Sequence, residues 1–240
     1  MNYNELNFDA MTRERELSMS AAFPVLMRKV YVWMTLALVI TGITAYGVAS
    51  SPGVISALYS NQAIMWGLII AEFALVIGIS AAINRLSLPT ATMLFVLYSA
   101  INGVMLSSVF LIYTASSIAS VFFITAGTFA VMALIGYTTK TDLTSMGKII
   151  MMALIGLIIA SLVNVFLVKS SGFDLILSYV GVLIFVGLTA YDSQKIKQML
   201  LEAPDAGEGA QKLALLGALS IYLDFINIFI YLLRIFGKRE

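Results

Sequence analysis

Seven apolar stretches set the limits on what this chain can fold into: residues 30–50, 63–83, 88–112, 116–137, 147–168, 174–194 and 213–236. Each is near the ~20 residues that a helix rising 1.5 Å per residue needs to cross the hydrocarbon of a bilayer. Inside lipid every backbone N–H and C=O must be satisfied within the structure, so runs of this kind are helices. Composition agrees: 60% of residues are hydrophobic, only 11% are charged, and the mean hydropathy is +0.97, against roughly 45–50% and about 25% in soluble domains. The expected fold is therefore all-α, a polytopic membrane protein of seven transmembrane helices. Its organisation reads as an N-terminal arm, residues 1–29, followed by a single transmembrane domain, residues 30–240.

The connections are short. Ser51-Pro52-Gly53 and Leu88-Pro89 are turn punctuation, and residues 113–117 barely suffice to reverse direction, which predicts antiparallel neighbours for the third and fourth spans. The polar start MNYNELNFDAMTRERELSMS has no cleavable leader character, so the first span is expected to direct insertion. With the N-terminus inside, ten of the fourteen Lys and Arg residues fall on the inner side, and Lys169, Arg234, Lys238 and Arg239 fall outside. The positive-inside rule thus favours a cytoplasmic N-terminus. The basic tail opposes this unless the last stretch re-enters, but a 24-residue apolar run without breaks past Gly217 is expected to cross.

The chain has no cysteine and no histidine. Disulfides, thiolate sites, Ser-His hydrolysis and the commonest zinc ligand are thereby excluded. No Lys/Arg block is long enough to track phosphates, so nucleic acid is not an expected partner. The partners this composition does imply are the lipid bilayer and whatever its membrane-embedded acids bind.

The last stretch carries the first of these acids. Asp224 lies between Lys212 and Arg234 with nearly unbroken hydrocarbon on both sides, a placement that costs roughly 2.5–3.5 kcal/mol on insertion scales and marks a functional candidate. Gly217, Ser220, Asp224, Asn227 and Tyr231 follow one another at steps of three or four and so share one helix face. A helix polar along one seam and greasy elsewhere suits the centre of a bundle.

Of the thirteen acids only Glu72, Asp192 and Asp224 fall within or close to hydrocarbon. Asp192 and Asp224 are each sixteen residues from Glu208, near the centre of the connection between spans six and seven. If those helices end near Glu202 and begin near Lys212, the aspartates differ in depth by about 3 Å, and they can meet across an antiparallel hairpin. Two carboxylates in a low-dielectric site do not both ionise easily, so the pair is expected to share a proton and titrate as a unit. A calcium ion or a guanidinium could take the proton's place, Ca²⁺ drawing its six to eight oxygens from Asp192, Asp224, Asn227, backbone carbonyls and water.

Plainer readings stand beside this one. Asp192 could pair with Lys195 on its own helix, Asp224 could make a structural hydrogen bond, and Glu72 could be a protonated interhelix hydrogen-bonding residue. Asn102 and Asn164 read as helix–helix glue. Arg85 reads as a snorkelling anchor, or as a group that swings in to pair with the carboxylates.

The segments VYVWMTLALVITGITAY (30–46), GLTAYDSQKIK (187–197) and ALSIYLDFINIFIYLLRIFG (218–237) resemble the signature segments of the bacterial branch of the Bax inhibitor, or TMBIM, family. The resemblance covers everything beyond the N-terminal arm. It implies a seven-helix fold with the last helix central and a pH-sensitive calcium leak. By its YD and LDF motifs it makes Asp192 and Asp224 the paired-aspartate sensor, with Arg85 as the candidate latch. Glu72 and Asn227 are secondary candidates.

The function expected is thus a pH-sensitive calcium leak channel in the bacterial cytoplasmic membrane, with calcium as permeant or bound ion and no cofactor required. The alternative is a membrane-embedded regulator that binds a membrane protease or stress-response complex, its contacts carried by the arm. Proton-coupled transport of a small solute is a third reading. An enzyme is not expected, because no GxGD-type run accompanies either aspartate.

Overall fold

The computed structural model describes the backbone of residues 3–203 and 205–239, and side chains from Ala21 onward within those limits. Of the N-terminal arm, the side chains of residues 1–20 lie outside the described residues. Among the described residues nine α-helices follow in order: α1 (Tyr3–Ala49), α2 (Pro52–Ser60), α3 (Gln62–Ala82), α4 (Leu88–Leu106), α5 (Val109–Ile112), α6 (Ala115–Thr138), α7 (Thr144–Val163), α8 (Ser171–Leu201) and α9 (Glu208–Phe236). A five-residue π-helical turn, Asn164–Val168, extends α7. Among the described residues seven segments are long and apolar enough to cross a membrane, from Ala21–Ala49 to Glu208–Phe236.

The helices start where the local chemistry favours it. Pro52 and Pro89 occupy first-turn positions of α2 and α4, where the missing N–H is no loss. The side chains of Asn61, Ser87 and Ser170 accept from backbone N–H groups at the starts of α3, α4 and α8. Asn164, read above as glue between helices, instead closes the α7–α8 turn: its Oδ1 accepts from Ser170 N at 3.1 Å and its Nδ2 donates to Ser170 O at 3.2 Å.

The last helix is central. Two thirds of its most apolar window, 67%, is buried, against 6% for α3, and it packs against α8, α1, α6 and α4. By contrast α3 packs mainly on α4 and α2, and α7 mainly on α8. With no hydrophobic drive between helices in lipid, close approach comes from small residues. Gly136 of α6 lies against the Ala190 backbone of α8 so closely that a Cβ would overlap the carbonyl, and a Cβ on Gly103 of α4 would stand 2.6 Å from Thr41 O of α1.

The α9 helix runs without a break from Glu208 to Phe236, long and apolar enough to cross, with no turn that would send the last stretch back. The tail emerges beside the α5–α6 turn: Thr114 N donates to Lys238 O at 3.0 Å, Lys238 N donates to Ser117 Oγ at 3.0 Å, and Tyr113 bridges to Arg239. Near this end Arg234 pairs with Asp174 of α8 at 3.2 Å, so part of the tail's basic excess is neutralised locally.

Candidate functional site

The GLTAYDSQKIK segment lies in the second half of α8, and the residues after its aspartate hold the helix in place. Gln194 donates Nε2–H to Thr141 O at 2.8 Å and accepts from Leu143 N at 2.8 Å, which staples the α6–α7 connection to α8. Lys197 donates to Tyr137 O at 2.9 Å and lies 5.0 Å from the centre of the Tyr137 ring. It thus places a cation where the last carbonyls of α6 lack helical partners. At about 100° per residue, Asp192 is turned roughly 200° from Gln194. With Gln194 held on the α6–α7 side, the Asp192 carboxylate is left to α9.

Asp224 is 3% exposed, and its Oδ2 is buried without a hydrogen-bond partner in the protein. Asp192 is half-buried, with the Ser220 side chain beside it. The two carboxylates are close enough for like-charge repulsion to act between them. The packing of α8 on α9 accounts for this. On one side of the pair Gly217 meets the Ile196 side chain; on the other the Tyr231 ring covers Gly181 and stacks on Phe185 at 6.0 Å. Asp192 and Asp224 lie between these two contacts.

The route to that meeting differs from the expected one. The α9 helix begins at Glu208 rather than near Lys212, and α8 ends at Leu201. The connection is therefore off-centre, and equal distance from Glu208 is not what brings the aspartates level. Lys195 makes no ion pair with Asp192 within 4.0 Å; it is exposed and lies 5.7 Å from the centre of the Tyr191 ring.

The other sequence candidates are spread out. Arg85 is exposed in the α3–α4 turn. That turn is clamped to the start of α9, where Lys212 Nζ donates to Leu86 O at 3.0 Å and Glu208 Oε1 accepts from Leu88 N at 2.9 Å. Asn227 folds its amide back on its own helix, donating to Leu223 O at 2.8 Å. Among the described residues no three His, Cys, Asp or Glu side chains gather as a metal cluster.

Glu72 belongs to a second polar site that the sequence reading did not assemble. Asn102 of α4 donates Nδ2–H to Glu72 Oε1 at 3.1 Å, and Asn102 Oδ1 accepts from Tyr222 OH at 3.1 Å. The Tyr222 hydroxyl also meets Thr41 Oγ1 at 2.7 Å, and Thr41 donates to Ser99 O at 2.9 Å. Asn102 is indeed glue between helices. The face of α9 opposite Asp224, expected to be wholly apolar, carries this tyrosine, 0% exposed. A phenol in the middle of an apolar span requires a partner, and that was the available signal.

Comparison with known proteins agrees with the architecture. The family model described as "Inhibitor of apoptosis-promoting Bax1" matches residues 24–240. The inner membrane protein YbhL of Escherichia coli K12 is 51% identical over 222 residues, covering 92% of this chain and 94% of that one. A Borreliella burgdorferi protein is 47% identical over 214 residues, covering 89% and 92%, and one from Deinococcus radiodurans is 38% identical over 231 residues, covering 96% of each. With a match through all seven spans and relatives aligned over nearly their whole length, this chain belongs to the Bax inhibitor family of integral membrane proteins.

Proposed function

We propose that the protein is a pH-sensitive calcium leak of the bacterial cytoplasmic membrane, with Asp192 and Asp224 as the site where protons and cations compete. The observation that carries this reading is the buried Asp224 carboxylate, whose Oδ2 has no hydrogen-bond partner in the protein although it faces a second acid. A structural aspartate would have its lone pairs occupied by donors. Carboxylates left open toward each other attract what can bridge them, a proton or a cation. A resident Ca²⁺ wants six to eight oxygens, more than two aspartates and Ser220 offer, so the pair suits a transit position with water completing the shell.

Arg85 is the proposed latch, entering from the α3–α4 turn to pair with the acids when they are charged. Asn227 would lend its carbonyl oxygen without giving up its amide bond to Leu223, since that bond uses Nδ2 and leaves Oδ1 free.

The test is Ca²⁺ flux against pH in proteoliposomes for the wild type, Asp192→Asn and Asp224→Asn. Each variant is expected to change the flux and flatten its pH dependence. Wild-type flux with unchanged pH response in both would refute the mechanism. The regulator alternative is separated by deleting residues 1–22, because a leak survives that deletion and docking through the arm does not.

A further inference from the structure

The hydrogen-bond chain on the α1–α4 face of α9 has more contacts than hydrogens to fill them. Its four contacts run Glu72 to Asn102, Asn102 to Tyr222, Tyr222 to Thr41, and Thr41 to Ser99 O, at 3.1, 3.1, 2.7 and 2.9 Å. The Asn102 amide fills the first. Three contacts then remain for two hydroxyl hydrogens, one on Tyr222 and one on Thr41, because each hydroxyl donates once. Tyr222 and Ser99 are 0% exposed and Thr41 is 3% exposed, whereas Asn102 and Glu72 are part-buried, so the chain is closed at its α1–α9 end and reachable only at its Glu72 end.

One hydrogen added at Glu72 removes the deficit. If the Glu72 carboxyl donates to Asn102 Oδ1 and the amide turns over, Asn102 Nδ2–H donates to the Tyr222 oxygen. Tyr222 O–H then donates to Thr41, and Thr41 O–H to Ser99 O. All four contacts are filled and every donor points inward. With Glu72 ionised every donor points outward toward the charge, and Thr41 gives up Ser99 O in order to serve Tyr222. The same heavy-atom positions accommodate both arrangements, because amide N and O occupy equivalent places.

We propose that Glu72 is a proton-binding site on α3, and that its occupancy sets the direction of this chain, turning the Asn102 amide and reversing the Tyr222 and Thr41 hydroxyls at the central helix. The groups facing Glu72 are few. From α4 come Asn102 and Tyr98, and from α9, through Asn102, comes Tyr222. The other main helix packed on α3 is α2, PGVISALYS, which has no charged residue. No Lys or Arg lies within ion-pair distance of Glu72 among the described residues. No fixed positive side chain therefore neutralises Glu72, which leaves its carboxylate open to a proton. The proposal stands independently of calcium conduction and of Asp192 and Asp224.

The test is infrared difference spectroscopy between acid and alkaline pH on the purified protein in lipid bilayers. In the wild type, loss of a protonated-carboxyl C=O band on raising the pH is expected together with a change in a tyrosine C–O–H mode. Glu72→Gln, whose amide imitates the protonated donor, should lose both signals, and Tyr222→Phe should lose the tyrosine part while keeping the carboxyl part. Asp192→Asn with Asp224→Asn should keep both Glu72-dependent signals. Spectra of Glu72→Gln that match the wild type, or a tyrosine change that persists in Tyr222→Phe, would overturn the proposal. The Tyr222→Phe arm leaves the carboxyl untouched, so it decides the matter even if Glu72→Gln perturbs folding.

Discussion

The two polar faces of α9 solve the same problem differently. Tyr222 and Asp224 are two residues apart, about 200° around the helix, and both are buried. Tyr222 is held by Thr41 and Asn102 in a chain that crosses three neighbouring helices. Asp224 has an oxygen without a partner and another acid opposite. The difference shows which polar group in a membrane core serves packing and which is kept available. A neutral hydroxyl between helices is worth ~0.6–1.7 kcal/mol when bonded, and its network is nearly closed. An open carboxylate costs more than that, so its retention calls for a use other than stability.

The sharpest way to break this comparison is to wedge each face apart. Gly136→Ala would push α6 off Ala190 behind the aspartate side, and Gly103→Ala would push α4 off Thr41 on the tyrosine side. In each case the new Cβ meets backbone, which cannot rotate away, so a loss of about 1–3 kcal/mol is expected from overpacking. Thermal unfolding in lipid or detergent should show both losses, whereas the pH response of calcium flux should change with Gly136→Ala and not with Gly103→Ala. An equal effect of both on the pH response would show that the faces are not separate.

A gentler change tests the closed face alone. Tyr222→Phe removes one hydroxyl from the interhelix network and should cost about 1 kcal/mol in the same unfolding assay, leaving flux and its pH dependence near the wild type. A flattened pH response in this variant would place the tyrosine among the sensing groups.

The smallest effect belongs to a carboxylate outside the membrane. Asp142, in the α6–α7 connection stapled by Gln194, accepts from Thr144 N at 2.9 Å, and its hydrogen bonds to Thr144 hold its pKa below the ordinary 3.8. A pKa lowered by folding means stability that is present above the ordinary value and lost as pH falls through the depressed one. Asp142→Ala should therefore unfold slightly earlier than the wild type near neutral pH, and the gap should close in strong acid. A gap that persists there would mean that the side chain acts through something other than its charge.

How much of this could be read beforehand follows from contrast. Seven apolar runs are visible because lipid demands unbroken hydrocarbon; Asp224 stands out against the hydrocarbon around it, and Asp192 as the acid at which an apolar span turns polar. Tyr222, Thr41 and Ser99 escaped notice because such residues are common in membrane helices and reveal a network only once α1, α4 and α9 are brought together. The helix ends around the α8–α9 connection were misplaced for a related reason. The polar start of α9, Glu208 to Lys212, is helical where the α3–α4 turn docks on it through Leu86 and Leu88, a long-range contact that periodicity does not register. Gln194 and Lys197, adjacent to the recognised aspartate, read as ordinary surface residues until the loop they hold is in place.

Because its tail is laced to the α5–α6 turn and its first turn to the α3–α4 turn, α9 is moored at both ends like a taut cable. Its middle is gripped by α8, α6, α1 and α4, so Asp224 and Tyr222 are held at fixed stations on opposite sides of it. Each side can then exchange its protons without dragging the other along.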